Sequence, residues 1–146
     1  MSAIRAFILL PGLALWLIGL SPAAQAQSVE GVWYGWGYQP AWGEGSDFII
    51  HRWSDGRSEI WLRHYSGCVV TMEQRETSTW SMADASTVHV KTLTVNGEAG
   101  DWTEDDYRIL ELTADRYRYL HLQTGVEYNA RRVDENFTFP ECGPMS

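Results

Sequence analysis

The residues best suited to chemistry lie in one stretch, 107–133, which reads YRILELTADRYRYLHLQTGVEYNARRV. Large residues recur there at every second position, the period of a strand that turns one face inward. The alternation places on that face a set of aromatic and basic side chains: Tyr117, Tyr119, His121, Tyr128 and Arg132. Aromatic rings with a few polar groups are the usual lining of a small-molecule site. The same set is also compatible with a filled core whose tyrosine hydroxyls reach water.

Hydrolytic chemistry would need a nucleophile, a base and an orienting acid. The serines fall in predicted loops or in a Ser/Thr-rich strand, and none lies in a Gly-x-Ser-x-Gly turn. The histidines, at 51, 64, 89 and 121, have no local spacing typical of a metal site. The sequence therefore predicts no catalytic residue, no metal site and no cofactor. An enzyme or metal binder that uses His51, His64 or His121 stays open as a hypothesis beside the binding functions that the sequence favours.

Short strands must position these side chains, because no long segment of 3.6-residue period appears after residue 26. Strand-like runs separated by turn residues lie at 30–38, 47–53, 58–65, 67–74, 77–82 and 86–95, with three more inside 107–133. This spacing predicts an all-β antiparallel up-and-down meander. A meander of about eight strands removes its open edges by closing into a barrel. Such an interior holds side chains or one small ligand.

Asp55-Gly56 indicates a hairpin turn between the runs 47–53 and 58–65. A two-residue turn pairs His51 with Ile60 and directs His51 inward. A bulged three-residue turn directs His51 outward and groups Phe48, Ile50, Ile60 and Leu62 on one face. Both alternatives stay open, because a slip of one residue reverses the face of a whole strand.

Thr124-Gly125 indicates the last hairpin turn of the chain. A two-residue turn at this position predicts three cross-strand pairs: His121 with Tyr128, Tyr119 with Ala130, and Tyr117 with Arg132. The inner face would then be aromatic with a cation at one end, and the outer face mixed and charged.

The first 26 residues have the features of a cleaved signal peptide. Arg5 supplies a positive charge, residues 7–20 are an apolar run, and Ala24-Gln25-Ala26 is a small-x-small cleavage pattern. The apolar run is short for a bilayer span, which needs roughly 20 residues. We expect residues 1–26 to be removed, leaving a single β-barrel domain at 27–146 that is periplasmic or secreted, with no membrane span.

The charge and the cysteines narrow the classes of partner and the compartment. A formal net charge of −8 disfavours nucleic acid and anionic lipid surfaces as partners.

The two cysteines, Cys68 and Cys142, both lie in the predicted mature chain. An even, minimal count in an exported protein predicts a disulfide. It would tie the C-terminal tail to the body of the domain.

Several motifs resemble one family. The segment 31–33, Gly-Val-Trp, matches the Gly-x-Trp of the first lipocalin strand. Arg131 and Arg132 lie where that family places an Arg across the Trp. Over about residues 30–142 the chain resembles the lipocalin-like (calycin) small β-barrel family. Avidin-type barrels and small periplasmic protease-inhibitor barrels share the same outline.

The resemblance implies a barrel whose base is closed by Trp33 and Arg132. The positions of Cys68 and Cys142 are similar to the family's bridge between a barrel strand and the C-terminal segment. The long C-terminal helix of the family has no counterpart here, so a large open ligand cup is not expected.

Two functions are expected from these patterns. The first is binding of a small apolar or aromatic ligand in the barrel interior by the inner-face set, which is Tyr117, Tyr119, His121 and Tyr128, above Trp33 and Arg132. The alternative is a protein–protein interaction module, such as an inhibitor or envelope adaptor. It would act through the Trp-bearing loops 35–45 and 97–106 and would have a filled barrel.

Overall fold

A computed structural model describes residues 27–39 and 44–142. The predicted signal peptide, residues 1–26, and Trp42 lie outside the described residues. The described chain forms β1 Gly31–Gln39, β2 Glu44–Arg52, β3 Arg57–Ser66, β4 Val69–Asp84, β5 Thr87–Val95, β6 Glu98–Ala99, β7 Glu104–Leu112, β8 Arg116–His121 and β9 Glu127–Arg132. None of this part of the chain forms a helix that is long and apolar enough to cross a membrane.

Eight of these strands form a closed antiparallel barrel. The hydrogen-bonded order is β4-β3-β2-β1-β9-β8-β7-β5-β6, and a further pairing of β4 with β5 closes the ring. The two-residue β6 only extends the edge of β5. The predicted all-β meander closed into a barrel is therefore confirmed.

The fourth strand of the barrel, β4, differs from the prediction. The runs 67–74 and 77–82 are not two strands but one 16-residue strand, β4. Its first part pairs with β3 and its second part with β5, with a register shift between Thr77 and Ser78. The predicted break fell at Arg75-Glu76. It was wrong because a charged pair does not end a strand when one of its residues faces solvent.

The predicted Trp-bearing loops are also shorter than expected. Backbone pairing between β1 and β2 runs to Gln39 and Glu44, so most of the segment 35–45 is strand. In the segment 97–106, β6 and the start of β7 leave a connection of only residues 100–103. Gly-rich sequence is typical of loops, but hairpin pairing keeps these segments extended.

The bulged alternative is the observed register at the first hairpin. Phe48 pairs with Leu62, Ile50 with Ile60, and His51 with Glu59. Three residues, 54–56, connect the strands, and Trp53 N donates to Arg57 O at 3.0 Å. His51 consequently points out of the barrel.

The predicted register of the last hairpin was wrong by two residues. Tyr119 pairs with Tyr128 and Tyr117 with Ala130, so His121 does not face Tyr128. The cause is a longer turn, residues 122–125, in which His121 N donates to Val126 O at 2.9 Å. Because the shift is an even number, the inner and outer faces are unchanged.

The inner faces form one core that contains the aromatic set. Trp33, Tyr117 and Val88 are fully buried, with Phe48, Ile50, Val90 and Tyr119 packed around them. A Cβ at Gly35 would collide with the ring of Phe48, so glycine is what lets that ring cross the strand. The core thereby fills most of the interior.

The C-terminal tail crosses the outer face of β1–β3 and is held by the Cys68–Cys142 disulfide, which is confirmed. Beneath it Arg63 donates to the buried Asp47 carboxylate from Nε at 2.9 Å and from Nη2 at 2.6 Å. The Tyr34 hydroxyl donates to the same carboxylate at 3.1 Å. Arg63 also lies 3.9 Å from the ring centre of Phe139 in the tail.

Candidate ligand site in the barrel interior

The base of the barrel is closed by Trp33 and Arg132, whose backbones pair across β1 and β9. The Arg132 guanidinium lies over the indole, 4.2 Å from the ring centre. It donates to three backbone carbonyls: Ala114 at 2.7 Å, Glu30 at 2.8 Å and Ser28 at 3.0 Å. All three of its nitrogens are therefore engaged, and Arg132 closes the base without contacting the cavity described below.

One interior wall is aromatic and comes from β7, β8 and β9. The rings of Tyr117 and Tyr119 lie 4.5 Å apart, and Tyr119 stacks on Tyr128 at 5.4 Å. Tyr107 meets Tyr119 edge-on at 5.5 Å. Burial raises the pKa of Tyr107, Tyr117 and Tyr119 above that of free tyrosine. Their hydroxyls thus stay protonated and can donate hydrogen bonds.

The opposite side comes from β2–β5 and is mostly apolar, with two charged residues, Arg52 and Glu76, in its lining. The Ser58 and Ser78 hydroxyls share a hydrogen bond of 2.6 Å, and both residues are buried. Arg52 is only 3% exposed, yet its Nε and Nη1 atoms make no hydrogen bond. Its guanidinium carbon lies 5.6 Å from the ring centre of Tyr117. The Tyr117 hydroxyl approaches that group without a hydrogen bond of good geometry.

A cavity of about 120 Å³ separates the two walls. It is lined by Phe48, Ile50, Arg52, Ile60, Leu62, Glu76, Val90, Tyr107, Tyr119 and Tyr128. A larger groove of about 440 Å³ lies outside the barrel, between the outer face of β1–β4 and the tail, and includes His51. The interior cavity is the better candidate site because it combines an interior position, aromatic surface and a buried cation.

The predicted inner-face residues occupy three levels of the barrel. Tyr119 and Tyr128 line the cavity, whereas Tyr117 packs on Trp33 at 5.4 Å, towards the base. His121 lies at the opposite end, where Nε2 is 3.0 Å from Asp105 Oδ1 and Nδ1 is 2.8 Å from Thr124 Oγ1. The structure therefore brings two of the predicted ligand residues to the cavity directly.

The sequence reasoning missed Arg52 and Glu76. Arg52 follows Phe48 and Ile50 at two-residue steps, so the bulged register would have placed it inside. Glu76 was missed because the predicted break in β4 removed it from any strand. Its Oε1 accepts a 2.6 Å hydrogen bond from Gln74 Nε2, and burial raises the pKa of its carboxyl.

The other histidines are separated around the barrel. His51 stacks on Trp53 at 3.8 Å on the outer face, and His89 Nδ1 lies 2.8 Å from Asp106 Oδ1. His64 is buried at the far end of β3. Within residues 27–39 and 44–142, no group of three or more His, Cys, Asp or Glu side chains is arranged to hold a metal ion.

Comparison with known proteins adds no family assignment. No protein-family model matches the chain, and no curated protein matches its sequence. Function is therefore argued from the geometry of the interior.

Proposed function

We propose that this protein binds one small, largely apolar or aromatic molecule inside the barrel. The observation that carries the proposal is the partly open interior cavity between the tyrosine wall and the largely aliphatic side formed by β2–β5, about 120 Å³ in volume. A dry cavity of about 150 Å³ in another protein holds a single benzene molecule. Sites for drug-sized ligands need roughly 300–1,000 Å³. The cavity is consequently of the size that takes about one benzene ring, and because it is partly open, a short substituent on that ring can extend from it.

The tyrosine rings give this ligand its binding surface. An aromatic ring in the cavity would pack between Tyr119 and Tyr128 on one side and the aliphatic residues Ile50, Leu62 and Val90 on the other. Offset and edge-on contacts between aromatic rings contribute about 0.5–1.5 kcal/mol each beyond the area they bury. Such contacts would contribute to the affinity for a ligand small enough to fit the cavity.

The same barrel supports a proposal about family and location. The Trp33–Arg132 stack, the closed eight-stranded ring and the Cys68–Cys142 bridge agree with a small lipocalin-like protein. A disulfide persists in oxidising compartments. These features support the proposal that the protein is periplasmic or secreted.

The test is to measure the binding of benzyl alcohol to the purified protein by isothermal titration calorimetry. Leu62→Phe adds a ring at the cavity wall and should abolish binding. Leu112→Phe is the matched control, because Leu112 packs against the core but does not line the cavity. Equal binding by both variants, or no binding by the wild type, would contradict the proposal. Native mass spectrometry of protein from its own host would detect a ligand that co-purifies.

A protein partner is the second candidate, and Trp102 is the observation that favours it. This side chain is 41% exposed, while its indole nitrogen donates to Glu98 O at 3.1 Å. A fixed, exposed Trp is typical of interface hot spots. Trp102→Ala should then lose a partner that the wild type retains in pull-down experiments, with benzyl alcohol binding unchanged.

A further inference from the structure

The buried guanidinium of Arg52 has no counter-ion among residues 27–39 and 44–142. Arg remains protonated at all ordinary pH values. Burying an unpaired charge is strongly unfavourable, so buried charges in proteins are normally paired. The other buried cation, Arg63, is paired with Asp47 at 2.6 Å. No ion pair formed by the described residues includes Arg52.

The cavity lies directly beside this cation. Arg52 is part of its lining, together with the hydroxyl-bearing residues Tyr107, Tyr119 and Tyr128. The nearby Tyr117 hydroxyl is buried and has no hydrogen-bond acceptor. Among the described residues, the buried donors without a hydrogen bond in this region are therefore Arg52 Nε and Nη1 and the Tyr117 hydroxyl.

Glu76 is the carboxylate that faces the same cavity, and it does not neutralise Arg52. Its Oε1 is bonded to Gln74, and no ion pair joins it to the guanidinium. Burial raises the pKa of the Glu76 carboxyl, with the charge of Asp105 as a further cause. Its negative charge is thus less favourable than that of an exposed glutamate.

We infer that the ligand is a small monocarboxylate, whose carboxylate pairs with Arg52 while its apolar body packs on Tyr119 and Tyr128. This inference rests on the proposed function, because it concerns the same cavity. A planar carboxylate matches the planar donors of a guanidinium. Arg52 is the one Arg or Lys among the described residues that line the cavity, and this single charge and the small volume favour one carboxylate over a phosphate ester or a dicarboxylate.

Benzoate and benzyl alcohol are the probes, because they share a ring and differ in charge. Titration calorimetry on the wild type should show benzoate bound at least tenfold more tightly than benzyl alcohol. Arg52→Gln should weaken benzoate binding at least tenfold and leave benzyl alcohol binding unchanged. Arg118→Gln is the control, because Arg118 is exposed and pairs with Glu127.

Each outcome separates the two ideas. Equal affinity of the wild type for both probes would overturn the carboxylate inference and leave the proposed function standing. Binding of neither probe would overturn both. A benzoate preference that survives Arg52→Gln would also refute the role of Arg52. If Arg52→Gln does not fold, the Nε–H resonance of Arg52 in the wild type gives the answer. Benzoate should shift that resonance and benzyl alcohol should not.

Discussion

Replacement of Arg132 by Met tests whether the base of the barrel is closed as described. Arg132 donates three hydrogen bonds, to the carbonyls of Ser28, Glu30 and Ala114, and lies 4.2 Å from the centre of the Trp33 ring. Each hydrogen bond contributes about 1 kcal/mol net. The cation–π contact contributes about 1 kcal/mol. A methionine side chain still contacts the indole and offsets about 1 kcal/mol of this sum. We therefore expect a loss of about 3 kcal/mol in the free energy of unfolding, within the range of large single substitutions.

This loss is measured by urea unfolding monitored with circular dichroism. Two further variants serve as comparisons. Arg132→Lys keeps the charge but cannot reach three acceptors. Its free energy of unfolding should therefore lie between those of Arg132→Met and the wild type. Arg131→Met is the matched control on the neighbouring position. Arg131 faces outward, with its guanidinium carbon 5.5 Å from the Tyr34 ring and 5.2 Å from the Phe137 ring. Equal destabilisation by Arg131→Met and Arg132→Met would refute the closed-base interpretation.

Three further changes test other parts of the fold. The double variant Cys68→Ala/Cys142→Ala opens a loop with a sequence separation of 74 and should lower the free energy of unfolding by about 4 kcal/mol, measured in urea. Asp47→Asn leaves the buried Arg63 without its anion and should destabilise by about 3 kcal/mol in the same assay, whereas a loss under about 1 kcal/mol would contradict the buried pair. Burial raises the pKa of Glu76, so the folded state holds that proton at pH values where the unfolded state has released it. The stability contributed by this group therefore falls as pH rises from the ordinary carboxyl pKa through the raised one. At pH 7 Glu76→Gln should unfold at a higher urea concentration than the wild type, and its stability should lack this dependence on pH.

Strand positions and faces were predictable because they depend on local alternation. The run around Tyr117 and Tyr119 shows which side chains turn inward whatever their partners are, and an error of two residues in register left that unchanged. The strand β4 was less predictable. Its polar residues look like a break in sequence, and only its pairing with both β3 and β5 shows that the strand continues.

The candidate site depends on contacts that no local pattern contains. Arg52 becomes an interior residue only when the first hairpin takes its three-residue turn, and the sequence permitted two registers there. The buried Asp47–Arg63 pair joins opposed residues of β2 and β3, and the C-terminal tail covers it through Phe139 and Pro140, which are far away in sequence. Cavity volume depends on how all eight strands close, so it cannot be obtained from any one of them.

By itself, the sequence determined the all-β barrel, the inward set of tyrosines, the base formed by Trp33 and Arg132, and the disulfide. Alternation, a short motif and a pair of cysteines carry that information along the chain. Only the tertiary structure decided which aromatic rings fill the core and which border a cavity. It alone placed a buried, unpaired Arg52 beside that cavity, because closure of the barrel brings β2 opposite β8 in space.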